Sequence, residues 1–363
     1  MVVERAQSVL VNKPVTAAVE PERIGVLLVN SGSPNSLSTA DIRSFLRGLL
    51  SDPRVIEASR AFWLPILEGL ILTTRPRRIR YKYEKIWTPE GSPLHVISRD
   101  LQTAVSRELH ARELAPYSVE IAMLYSKPSV REALLRLRDA KAQKILIVPL
   151  FPQYCASTTG AVFDQVAQEM KRWRTIPELR FIGDYHADLG YIEALRASVA
   201  ERWNAQGRTT YLQISFHGIP ERYVKAGDPY FIRSQKTARL LAEALKLREN
   251  EWGLSFQSRF GPAVWLQPYT AEVMAALPKR GVESVTVVCP GFAVDCLETL
   301  EEIDVENRAF FTSAGGREFQ YVPALNASPA HARVLTDLIA RHSQGWIDST
   351  LAANARLPLT KRV

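Results

Sequence analysis

Three cysteines, Cys155, Cys289 and Cys296, are all that this 363-residue chain carries. That is too few for a disulfide framework, and it fits a reducing compartment. A metal cluster would want a fourth ligand, and none is expected. Cys289 ends an apolar run and reads as a small hydrophobe. No apolar stretch approaches the ~20 residues needed to span a bilayer. The first twenty residues hold Glu4, Arg5 and Lys13 around a short Val9-Leu10-Val11 core, without a secretory hydrophobic region or cleavage pattern, and a loose tail is expected there. There is no Gly-x-Gly-x-x-Gly fingerprint and no Walker A lysine loop, so dehydrogenase and NTPase chemistry lose most of their support. Basic residues are scattered, except for Arg75-Pro76-Arg77-Arg78 with Arg80 and Lys82. No zinc-finger or RNA-binding signature accompanies them, so a nucleic-acid partner is not expected.

What is present is ordinary globular material, 46% apolar and 23% charged, and long enough for two domains. The net charge of +8 points to an anionic membrane surface or an acidic small ligand.

Short apolar runs alternate with helical patterns. Ile24–Val29, Val119–Leu124, Ile145–Leu150 and Leu179–Ile182 read as strands, as do Tyr211–Phe216, Leu254–Phe256, Ser284–Val288 and Tyr321-Val322. Helices fall between them, the first capped by Ser38 or Thr39. The Ser157-Thr158-Thr159 run after the third strand is expected to cap the next helix, with anion binding as the alternative. The pattern is that of a doubly wound parallel sheet, twice over: an α/β chain of two Rossmann-like domains with a cleft between them. The expected division is a tail at 1–22, domains at 23–190 and 191–345, and a tail at 346–363. Gly25–Pro34 resembles Leu212–Pro220, a weak sign of internal duplication.

Two stretches carry the candidate chemistry. The run Tyr211–Phe216 stops at His217, and Gly218, Pro220, Gly227 and Pro229 then hold a long loop. His217 thus stands at the carboxyl end of a strand, where open α/β sheets bind ligands. A turn histidine capping a backbone group is the plainer alternative. After Ser284–Val288, Pro290-Gly291-Phe292 leads to Asp295, which is expected to begin a helix. Asp295, Glu298 and Glu302 then share one face at i, i+3 and i+7. A solvated acidic face is the alternative. A histidine and a carboxylate row at two strand exits could bind a divalent metal or relay protons. Ala61–Leu72 holds one charge, Glu68, directly before the basic cluster. It reads either as a core helix or as a greasy lip with a basic rim, able to touch a membrane and admit a flat apolar ligand with acidic tails.

At these residues the chain resembles the ferrochelatase family. Ser215–Tyr230, with Ser-Phe-His-Gly-Ile-Pro at its start, is similar to one family signature, and Cys289–Ile303 is similar to the second. Gln257–Gly261, Trp265–Pro268, Pro152-Gln153-Tyr154 and Leu50–Ile56 extend the likeness over roughly residues 24 to 346. The resemblance implies a chelatase-like fold and a lyase that inserts Fe(II) into protoporphyrin IX as the last step of haem formation. It places His217 over the porphyrin centre as metal ligand or pyrrole-proton acceptor. Glu298 shares the metal or the proton, and Asp295 and Glu302 continue an acidic path. Ser31, Tyr83, Ser92, Tyr125 and Trp265 are expected to line the porphyrin slot. Fe(II) is a substrate, and no resident cofactor is expected. The iron–sulfur version of the family uses a cysteine-containing C-terminal extension, and residues 297–363 contain no cysteine. A cytoplasmic protein in peripheral contact with the inner membrane is expected. Ser31 stands where the family usually has a bulky apolar residue, and Leu124 where many members have Arg. These departures leave two alternatives: a tetrapyrrole-binding paralogue without turnover, and a chelatase for coproporphyrin or another metal.

Overall fold

The structure, a computed structural model, describes residues 23–112 and 116–346. The expected tails therefore lie outside the described residues, apart from Trp346.

The first half runs β1 (Arg23–Asn30), α1 (Thr39–Ser51), α2 (Arg60–Ile66), a π turn (Leu67–Ile71), α3 (Leu72–Ile86) and α4 (Pro93–Ala111). It continues with β2 (Tyr117–Met123), α5 (Val130–Asp139), β3 (Ala142–Pro149), a second π turn (Ala156–Gly160), α6 (Ala161–Met170) and β4 (Glu178–Phe181). The second half runs α7 (Leu189–Gln206), β5 (Tyr211–His217), α8 (Glu221–Lys225), α9 (Tyr230–Ala244), β6 (Trp252–Gln257) and α10 (Thr270–Ala276). It ends with β7 (Ser284–Val288), a π-helix (Glu298–Asn307), α11 (Arg308–Ser313), β8 (Glu318–Val322) and α12 (Pro329–His342).

The strands form two four-stranded sheets, ordered β2-β1-β3-β4 and β6-β5-β7-β8. Every pairing in them is parallel. The two orders are the same order twice, which bears out the weak sequence rhyme: β5 is the counterpart of β1, and His217 ends β5 as Asn30 ends β1. Helices cover both faces of each sheet, so the central strands read as continuous apolar runs. In each half the order reverses beside the first strand, at the switch point where such sheets bind ligands.

Ser38 caps α1, its side chain accepting from the Asp41 N–H, while Ile42, Phe45, Leu46 and Leu50 face inward. The Ser/Thr run at 157–159 caps nothing. Asp228, 72 residues away, accepts the Ala156 N–H at 2.8 Å instead. The greasy segment is split between core and surface: Leu67 and Leu72 are buried, whereas Phe62 and Leu70 are 69% and 61% exposed. The loop after His217 is less irregular than expected, because α8 forms inside it.

One apolar core runs through both halves, from Val26 and Leu28 of β1 through Ile214 and Phe216 of β5 to Leu335 and Ile339 of α12. Helix α12 leaves the second sheet and packs against α4 and β3 of the first. Arg112 pairs with Asp337 there, and the hydroxyls of Tyr117 and Ser343 meet at 2.8 Å. Among the described residues, no helix is long and apolar enough to cross a membrane.

Candidate active site

His217 is half-buried at the carboxyl edge of β5, after five buried residues. Its Nδ1 lies 2.7 Å from the Gly218 carbonyl oxygen. A carbonyl only accepts, so Nδ1 must carry the proton, and Nε2 of the neutral ring keeps its lone pair for a ligand or a proton. The ring sits beside Trp265 and Phe292, with centroids 6.3 and 6.5 Å away. Gly218 permits this packing: a Cβ there would stand 3.1 Å from the Gln257 carbonyl oxygen and 3.3 Å from the Trp265 ring.

The carboxylates arrive differently from the α-helical expectation. Asp295 begins no helix but lies in the preceding loop, and the segment Glu298–Asn307 is wound as a π-helix. Such winding is rare and concentrates at functional sites. The end of β6 fixes it. Gln257 Nε2 donates to the Glu298 carbonyl at 2.7 Å. The Ser258 N–H donates to Glu302 Oε1 at 2.7 Å, and the Ser258 hydroxyl to Oε2 at 2.5 Å. Ser258 holds φ of +68°, a left-handed conformation that a side chain disfavours. Burial pushes the Glu302 carboxyl above the ordinary carboxylate range, against the Ser258 hydrogen bonds and the nearby His217, with Glu298 adding to the push.

Asp295 is buried and saturated. Its Oδ1 accepts from the hydroxyls of Tyr321 at 2.5 Å and Thr299 at 2.9 Å, and its Oδ2 from Asn326 Nδ2 at 2.7 Å. Asn326 is held in turn by His331 Nδ1, 2.6 Å from its carbonyl oxygen.

Tyr83 of α3 is buried near Glu298, Cys296 and Ser33. Burial, then Glu298 and Cys296, push its hydroxyl well above the ordinary phenol value. Ser33 also meets Ser92, hydroxyl to hydroxyl at 2.7 Å. Tyr83 and Ser92 thus both neighbour Ser33, and Trp265 stands by His217. Tyr125 and Ser31 form a separate pair: the Tyr125 N–H donates to the Ser31 carbonyl at 3.1 Å, and the Tyr125 hydroxyl is spent on Asp52 at 2.9 Å.

Arg75, Cys296 and Ser258 are among the site residues that the reading of the sequence did not assign. Arg75, assigned to an outer rim, stacks its guanidinium 4.2 Å over the Phe260 ring and faces Tyr83 and Glu298. Cys296 lies buried near Glu298, its thiol pushed well up by burial and by that carboxylate. Ser258 lies within a stretch that carries the family likeness, but nothing local announces its positive φ. Among the described residues, no three His, Cys, Asp or Glu side chains converge as the ligands of a held ion would.

The site thus joins an imidazole held through its Nδ1, two carboxylates on a helix held by the end of β6, and an aromatic wall. The family model described as Ferrochelatase matches residues 23–343. A ferrochelatase of Thioalkalivibrio sulfidiphilus is 51% identical over 326 residues, covering 90% of this chain and 88% of the relative. One from Bordetella pertussis is 50% identical over 326 residues, covering 90% of each. Among solved structures, SirB from Bacillus subtilis with Fe3+ superposes with a TM-score of 0.53 at 14% identity, over 90% of this chain and 99% of that one. A cobalt complex of the sirohydrochlorin chelatase SirB from Bacillus subtilis subspecies spizizenii gives 0.51 at 14% identity, over the same shares.

Proposed function

Because the chain belongs to the ferrochelatase family, we propose that it inserts ferrous iron into protoporphyrin IX to give protohaem. Iron(II) enters as substrate, two pyrrole N–H protons leave, and no resident cofactor is called on. One observation carries the residue assignment: Nδ1 of His217 is committed to Gly218, so Nε2 is the nitrogen open to the reaction. His217 accepts a pyrrole proton at Nε2 without reorienting, since the imidazolium keeps its bond to Gly218. Glu298 receives the iron beside it. Glu302, whose pKa burial raises, accepts and releases the proton more readily near neutral pH than an ordinary carboxylate would. Asp295, with its oxygens already filled, fixes the chain entering the π-helix rather than titrating. Trp265 and Phe292 flank the macrocycle, and Tyr83 with Ser92 and Ser33 lines its slot.

The lip supports peripheral contact with the cytoplasmic face of an anionic membrane. Its exposed Phe62, Leu70 and Tyr81 neighbour the exposed Arg77, Arg78 and Arg80. Salt should release such contact, because screening weakens the basic rim.

The deciding experiment is anaerobic mixing of the purified protein with iron(II) and protoporphyrin IX. Loss of porphyrin fluorescence and growth of the haem spectrum are expected, and H217A should keep the fold and lose the reaction. Full activity in H217A would remove the central role of His217. Tight porphyrin binding without turnover in the parent would indicate a carrier.

A further inference from the structure

Glu301 is fully buried and takes no part in the site. Its neighbour Glu302 turns toward Ser258, just after β6, whereas Glu301 turns toward the lip helix α3. Lys85 Nζ lies 2.9 Å from its Oε1, and Lys82 Nζ lies 3.0 Å from its Oε2 as an ion pair. Lys82 also reaches Glu306 Oε1 at 2.6 Å. Burial works against the Lys82 ammonium, yet Glu306 and Glu301 outweigh it and hold its pKa above the ordinary value.

The winding and the ion pairs explain each other. In an α-helix, Glu298 would neighbour both Glu301 at i+3 and Glu302 at i+4, crowding three like charges. The i→i+5 pattern turns less per residue, so Glu301 swings away while Glu298 and Glu302 stay near one face. A buried carboxylate is tolerated only when paired, and α3 supplies both cations. The π-helix is thereby pinned on two flanks, by Gln257 and Ser258 on one and by Lys82 and Lys85 on the other. The same α3 carries Arg75 and Tyr83 into the site and Tyr81 onto the lip.

We propose that Glu301, clamped by Lys82 and Lys85, is a positioning residue for metal insertion. It keeps the helix in its π winding and ties Glu298 and Glu302 to the lip segment that receives the macrocycle. The proposal rests on the ferrochelatase reading for its kinetics, but not for its structural readout.

The test compares E301Q, K82M/K85M and K82R/K85R with the parent chain. The readouts are protoporphyrin IX binding by fluorescence, kcat and KM for iron(II) insertion, and amide hydrogen exchange across residues 298–307. E301Q and K82M/K85M should bind porphyrin as the parent does and lose kcat by up to ~100-fold, the scale of an ~1 Å misplacement. Exchange across 298–307 should quicken in both, and K82R/K85R should recover rate and protection relative to K82M/K85M. Parent-like kcat in E301Q with only a lowered Tm would overturn the proposal, as would unchanged exchange in both charge-deleted variants. A parent chain that inserts no iron would overturn the ferrochelatase reading alone, and the exchange comparison would still decide the clamp.

Discussion

Ser258 grips both oxygens of the Glu302 carboxylate, one through its backbone N–H at 2.7 Å and the other through its hydroxyl at 2.5 Å. Both bonds favour the charged carboxylate, opposing the burial that raises its pKa. The left-handed backbone of Ser258 is what presents the two donors together.

S258A removes the hydroxyl and leaves the N–H. A hydrogen bond to a charged group contributes about 1.5–3 kcal/mol. The Glu302 pKa should climb, and the acidic limb of the pH–rate profile should move to higher pH. A profile measured from pH 5 to 9 checks it, and an unmoved limb would remove Glu302 from the proton path.

Asp228 staples the loop after His217 to the first half of the chain. Its oxygens accept the Tyr230 N–H at 2.9 Å and the Ala156 N–H at 2.8 Å, beside Cys155 Sγ at 3.4 Å. D228A should lower unfolding stability by about 2–4 kcal/mol, since two backbone donors lose charged acceptors. Urea denaturation checks it. The Cys155 thiol, pushed up to about 12 by burial and by Asp228, should remain slow toward alkylating reagents in the parent.

Two histidines, His331 buried and His95 half-buried, make folding sensitive to acid. The pKa of His331 is lowered to about 4 by burial, against its bond to Asn326, and that of His95 to about 4 by burial and Arg99. An unfolded histidine titrates near ~6.5. Between these values the unfolded chain binds more protons, so stability is full above the upper value and is lost as pH falls toward the lower one. For His331 the loss is about 3 kcal/mol. Tm should fall across that window, and H331Q should flatten the fall. Parallel curves for parent and variant would show that His331 is not the group responsible.

G218A tests the approach of Trp265 to His217. A methyl group at 3.1 Å from a carbonyl and 3.3 Å from the indole forces one of them to move. Overpacking of this kind costs about 1–3 kcal/mol. Insertion should slow more than porphyrin binding weakens, as separate kcat and binding measurements would show.

Much of this was legible beforehand. Parallel strands covered on both faces must be apolar throughout, so Ile24–Val29 and Tyr211–Phe216 stood out, and the end of the second run located His217. The π-helix was not legible, because i, i+3 and i+7 spacing presupposes α winding, and the lysines it pairs with, Lys82 and Lys85, lie more than 200 residues earlier. Asp295 was misplaced for the same kind of reason: Tyr321 and Asn326 satisfy its carboxylate and hold it in the loop. The Ser157–Thr159 run looked like a cap until Asp228, remote in sequence, supplied the acceptor.

The hydrocarbon core that threads both halves has a mechanical consequence. Swinging one sheet away from the other would bare Ile214, Phe216 and their partners to water, so the molecule has no inexpensive hinge between its halves. Room for a planar guest must come from the margins instead, where α2 and the first turns of α3 meet water on much of their surface. Entry and exit should then be governed by bending of that rim against a stationary floor. Stiffening the rim should retard release of the product while leaving the insertion step unchanged.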